Sequence, residues 1–133
     1  MRSALALLLV IAGCTTPVGT SVDDCGASWR DVESLIVVPG GTGERPVVIE
    51  CMRQVDDRRI RIGFTLPGGP DCWRLSRYEL VESADAASVA LFIARSDDPA
   101  AGACAPGDRR VATEIDLQAP VEGRELLDGS RTD

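Results

Sequence analysis

The residues of this chain whose types could do chemistry are five cysteines, a cluster of arginines and a few grouped carboxylates. The cysteines are Cys14, Cys25, Cys51, Cys72 and Cys104. Cys14 closes an apolar run that begins at Ala4, and the other four are spread with no Cys-x-x-Cys pair. A four-cysteine zinc site usually needs two such close pairs, and a redox-active dithiol usually needs one. In an exported chain an even set of spread cysteines implies disulfides. Four cysteines allow three connectivities, and sequence alone does not choose. The pairing expected is Cys25–Cys51 with Cys72–Cys104, because each then ties a loop or terminus to the start or middle of a strand.

The chain has no histidine, which removes the commonest general base and the commonest metal ligand. No Gly-x-Ser-x-Gly or Ser-x-x-Lys accompanies any serine, so no activated serine is indicated. Asp97, Asp98 and Asp108 bracket one loop. They could hold calcium, which wants six to eight oxygens, or act as a hydrolase acid pair. The Asp-x-Asp-x-Asp-Gly series is missing, and solvation of the loop is the expected role. The glycines in Pro39–Pro46 suggest a phosphate loop, but no Gly-Lys-Ser/Thr is present and Pro46 opens a β-like run instead of a helix. Trp29 and Trp73 could form a ligand platform, yet large aromatics beside cysteines more often pack over the disulfide.

The arginines Arg53, Arg58, Arg59 and Arg61 cluster in one hairpin. Alternation places Arg59 and Arg61 on one face, with Arg53 across the hairpin from them. Arg53, Arg59 and Arg61 form the candidate ligand surface, for an anionic wall polymer or a lipid headgroup. The simpler expectation is a solvated sheet face balanced by Glu50, Asp56 and Asp57. The formal charge is −7, and every basic residue is Arg. An acidic chain of this kind is no natural partner for nucleic acid, whose phosphates demand clustered cations. No cofactor, metal site or catalytic residue is expected.

The start of the chain says where it acts. Arg2 precedes an apolar run from Ala4 to Ala12, too short to span a hydrocarbon core, which takes about 20 helical residues. A charged start, a short apolar middle and a small-residue exit mark a secretory signal. Its exit, Ile11-Ala12-Gly13-Cys14, resembles the lipobox of bacterial lipoproteins. That resemblance implies cleavage before Cys14 and a diacylglyceryl group on its thiol, carrying fatty acyl chains such as palmitate. More than one chain is generally needed for stable anchoring, at about 0.8 kcal/mol per buried methylene. Removing residues 1–13 takes away Arg2 and moves the formal charge from −7 to −8. The organisation expected is a signal peptide (1–13), a lipidated flexible tether (14–24), a β domain (25–128) and a disordered tail (129–133).

The elements are short strands. Leu35–Val38 reads as a brief apolar strand, followed by a mobile loop through Pro46. Val47–Val55 and the strictly alternating Arg59–Leu66 read as a hairpin around the Asp56-Asp57 turn. A strand from about Leu75 to Glu82 follows. Ser88–Ala94 is apolar on both faces and reads as a central strand; Ala content keeps helix open for 84–94, but Val89, Phe92 and Ile93 favour strand. Asp97–Asp108 is a loop, Val111–Gln118 alternates, and Arg124–Asp128 is a short last strand. Six or seven such strands imply a mostly β fold, a small antiparallel sandwich or open barrel stapled by disulfides.

Cys72-Trp73, Cys104 and the segment from Pro120 to Asp128 also resemble a pattern in small lipoproteins of high-GC Gram-positive bacteria. The resemblance implies the Cys72–Cys104 pairing and a β fold, not an activity. Three functions are in view. One is a non-catalytic binding or interaction module of the cell envelope, lipid-anchored outside the membrane, whose partner is an envelope protein, a glycan or a small ligand. The alternative is a minor envelope hydrolase using paired carboxylates, or a purely structural lipoprotein.

Overall fold

A computed structural model describes residues 16–97 and 107–130. Nine strands lie among them: β1 (Thr20–Ser21), β2 (Glu33–Ser34), β3 (Thr42–Val47), β4 (Ile49–Gln54), β5 (Arg59–Leu66), β6 (Trp73–Glu82), β7 (Ala86–Arg95), β8 (Arg109–Asp116) and β9 (Glu125–Asp128). A single 3-10 turn spans Ala27–Trp29. They form two sheets packed as a sandwich. The first has β7 at its centre, with β6 along one side and β9 then β3 along the other; β1 lies outside β9. The second has the order β2-β8-β5-β4.

The core follows from alternation. Ile60, Ile62, Phe64 and Leu66 of β5 face Val89, Leu91 and Ile93 of β7, with Ile49, Leu75, Val111 and Ile115 around them; all are buried. Val89, Phe92 and Ile93 decide the helix-or-strand question for 84–94 in favour of strand, and β7 is central as its two apolar faces imply. The Asp56-Asp57 turn and the last strand also stand where expected.

Three differences share one cause: chain segments cross from sheet to sheet. Val47–Val55 is not one strand. Val47 ends β3 in the first sheet, Ile49 begins β4 in the second, and Val48 between them is exposed. β3 itself reaches back to Thr42, into the expected mobile loop. Leu35–Val38 divides likewise. Leu35 N–H donates to the Ala112 carbonyl in β8, and Val38 N–H donates to the Leu75 carbonyl in β6. The third crossing is the expected flexible tether. Thr20–Ser21 pair with β9, and the Asp23 carbonyl accepts from Met52 N–H in β4. Pro17 is buried, and Gly19 at φ 147° lies so close to Asp128 that an added Cβ would sit 2.4 Å from its carbonyl oxygen. Residues 17–24 are mostly small, polar or turn-forming, with Val18 and Val22 set apart, so no period betrays them. Their backbone groups are nevertheless spent on the sandwich edge.

Two pairings are parallel, β2 with β8 and β7 with β9, where a wholly antiparallel arrangement was expected. Both belong to two- or four-residue strands reached by crossing segments. Gly129 and Ser130 are not tail. Gly129 N–H donates to the Val89 carbonyl, and Ser130 donates through N–H and Oγ to the Asp128 carboxylate. Asp128 is fully buried and also accepts from Ile49 N–H at 2.9 Å, fixing β9 to the start of β4.

Cys25 and Cys51 form a disulfide. Cys72 is disulfide-bonded too, but Cys104, its expected partner, lies outside the described residues, as do Cys14 and Asp98.

Candidate functional site

Alternation in β5 turns Arg59 and Arg61 to the outer face of the second sheet. A register shift between Ile49 and Cys51 keeps Cys51 and Arg53 on that same face, and Arg53 stands directly opposite Arg61. The three arginines do meet. They are balanced from the other side: β8 brings Asp116 opposite Arg59 and Glu114 opposite Arg61. Arg59 Nε donates to Asp116 at 2.9 Å. This hydrogen bond, with the nearby acids, holds the Arg59 guanidinium above its ordinary pKa, firmly charged.

Arg61 is a clamp. It donates to Ser34 Oγ at 2.7 Å and to the Val32 carbonyl at 3.1 Å, and it pairs with Glu114. It thereby holds the segment that carries Trp29 onto the sheet. Arg58 lies on the turn and donates to the Gln118 carbonyl. Arg53 stands in none of the ion pairs among the described residues. Of the acids expected to balance the face, Asp56 does act on Arg59, while it and Glu50 also make bonds elsewhere. Glu50 accepts from Thr65 Oγ1, and Asp56 Oδ1 accepts from the N–H groups of Arg58 and Arg59 in the turn. Because β5 is an inner strand, its second neighbour sets the balance, and that neighbour is about fifty residues away in sequence.

Trp29 packs on the Cys25–Cys51 disulfide, forming a small cluster separate from the main core. Arg110 lies over its ring at 4.8 Å. The cluster fits because residue 63 is Gly: an added Cβ would lie 2.7 Å from Cys51 Sγ and 2.7 Å from the Trp29 ring. Gly63→Ala is therefore expected to lower stability by about 1–3 kcal/mol through overpacking, read as a reduced urea midpoint at unchanged slope. Trp73 behaves differently. It is half-buried against the core edge, with Arg45 at 4.8 Å and Arg95 at 5.3 Å from its ring.

The grouped carboxylates separate. Asp97 pairs with Arg74 at 3.1 Å. Asp108 instead lines an open groove of about 390 Å³ at the β3–β4 corner, together with Arg45, Glu50, Thr65 and the apolar Pro46, Val48, Pro67 and Ile93. Sequence reasoning missed Arg45 and Glu50 as groove residues. They sit on either side of a crossing that no periodicity marks. Among the described residues, no three metal-capable side chains gather.

On the outer face of the first sheet, Arg77 lies over the Phe92 ring at 3.9 Å and donates to Glu44 and Glu79. Ser76 Oγ donates to Glu44 at 2.8 Å. That bond, aided by Arg77 and opposed by desolvation, lowers the Glu44 pKa. A lowered carboxyl pKa stabilises the fold fully above the ordinary glutamate value of about 4.3, and the contribution is lost as pH falls through the lowered value. Ser76→Ala should move the Glu44 titration upward in a carboxyl NMR experiment. An unmoved midpoint would remove Ser76 as the cause.

The chain matches no protein-family model, no curated protein and no solved structure. Among the described residues no helix is long and apolar enough to cross a membrane.

Proposed function

We propose that this chain is an extracytoplasmic lipoprotein, anchored to the cell membrane through a diacylglyceryl group on Cys14, and that its β domain is a non-catalytic binding module of the envelope. The observation that carries the anchor is Ile11-Ala12-Gly13-Cys14 at the end of a short apolar run. The Cys25–Cys51 disulfide supports an oxidising compartment. The binding reading rests on the corner groove. Its apolar floor and the polar groups of Arg45, Glu50, Thr65 and Asp108 suit a small polar ligand or the sugar of a wall glycan.

Cys14→Ser is the test of the anchor. The wild type should enter the detergent phase and carry acyl mass on Cys14, and the variant should remain aqueous and unmodified. Equal partitioning of the two would sink the proposal. For the groove, soluble wall-glycan fragments should bind the wild type and bind Arg45→Ala at least tenfold more weakly. Glu50 and Asp108 lining one groove favour a second reading, a carboxylate hydrolase. Release of sugar from the same fragments, lost in both Glu50→Gln and Asp108→Asn, would establish it.

A further inference from the structure

The attachment of Pro17 and Val18 to the domain restricts how it can sit on a membrane. Val89, Leu91 and Ile93 of β7 point into the core, so Ser88, Ala90 and Phe92 lie on the outer face of the first sheet. The N-terminal segment is fastened to that face. Ser88 Oγ donates to the Val18 carbonyl at 2.6 Å, and Pro17 is buried. Leu127, opposite Ser88 in the register, is only 8% exposed. Cys14 precedes Pro17 by three residues, and three residues reach at most about 10 Å.

From this we infer that the outer face of the first sheet is seated against the bilayer that holds the Cys14 acyl chains, so the arginine face of the second sheet points away from it. The inference rests on the Cys14 anchor proposed above. The occupant is the phospholipid surface itself. A thioether-linked anchor within about 10 Å of a buried proline leaves no slack for the domain to roll over. The seated face offers an exposed Val18 at its Ser88 end and, four residues farther along β7, the Arg77–Phe92 stack. Arginine and aromatic side chains of this kind sit well at a headgroup boundary, where one part is apolar and another is wet. On the seated face Glu44 and Glu79 offset Arg77, and the chain is net acidic, so the tether and not electrostatic attraction sets the orientation. The two outer faces are separated by a sheet-to-sheet spacing of about 10 Å plus their side chains, a difference that a headgroup probe resolves.

The experiment uses full-length lipidated protein in vesicles of phosphatidylcholine and phosphatidylglycerol with a nitroxide on the headgroup of a minor lipid. A fluorophore is placed at Glu79→Cys on the first sheet or at Asp116→Cys on the second, both exposed positions. Intact mass is read on the same samples. With acyl mass present, quenching at position 79 should exceed that at 116 severalfold, and a ten-residue Gly-Ser spacer inserted after Thr15 should bring the two together. Equal quenching without the spacer, or stronger quenching at 116, overturns the orientation while leaving the anchor standing. A ratio that survives the spacer overturns the tether as its cause. Absence of acyl mass overturns the anchor and the orientation together.

Discussion

Replacing Cys25 and Cys51 with Ser is expected to lower the stability of the domain by about 3.5 kcal/mol and its melting temperature by about 10–20 °C. The disulfide joins residues 26 apart in sequence. A loop of that size loses about 3.5 kcal/mol of closure entropy in the unfolded chain when it is crosslinked. Packing adds to the entropic term. Cys25, Trp29 and Cys51 form their own cluster on the outer face of the second sheet, so Trp29 has few apolar neighbours besides the bridge and Val32. The loss should also be visible locally. Met52 N–H donates to the Asp23 carbonyl one residue from the bridge, and its hydrogen exchange should accelerate more than that of Ile62 in the core. Thermal unfolding of the double variant by circular dichroism checks the first expectation. A melting temperature within about 3 °C of the wild type would show that the crossing segment holds the edge unaided.

What was legible in the sequence was whatever has a period. The Arg59–Leu66 alternation gave a strand with the right residues inward, and Ser88–Ala94 read correctly as central because both of its faces are apolar. The Cys25–Cys51 bridge was expected and is formed. Illegible were the crossings. A strand that leaves one sheet at Val47 and enters the other at Ile49 looks continuous, since the corner takes only Val48 and breaks no apolar run. Segments such as Thr20–Ser21 show nothing at all, because edge pairing uses backbone groups that every sequence has. The arginine face shows both sides. Period two brought Arg59 and Arg61 together, but their counter-charges, Asp116 and Glu114, depend on which strand lies beside β5. Strand order is set by long-range packing and has no local signature. The corner groove inherits the same obscurity, for it exists only where β3 turns into β4.

Arg124→Ala is expected to cost about 3 kcal/mol or more, well above any other arginine substitution in the domain. Seven ion pairs join described residues, and exposure separates them. Arg59–Asp116 has side chains 46% and 70% exposed, which places it among surface pairs worth about 0–1 kcal/mol. Arg124 and Glu82 are 4% and 12% exposed. Breaking a buried pair by removing one partner leaves the other charge stranded, at a cost of about 3–5 kcal/mol. The geometry here raises the stakes. The Arg124 guanidinium also donates to the carbonyls of Ser83, Ala119 and Pro120, and Glu82 accepts from the N–H groups of Gln118 and Ala119. The pair thus folds the loop 117–124 across the end of the sandwich, where Leu117 and Val121 enter the core. Arg124→Lys keeps the charge but not the planar fork that reaches several carbonyls at once, so it should recover only part of the loss. Urea unfolding of Arg124→Ala, Arg124→Lys and Arg59→Ala ranks the three. A loss below about 1 kcal/mol for Arg124→Ala would place the pair with the surface set, and Leu117 and Val121 alone would then hold the loop in place.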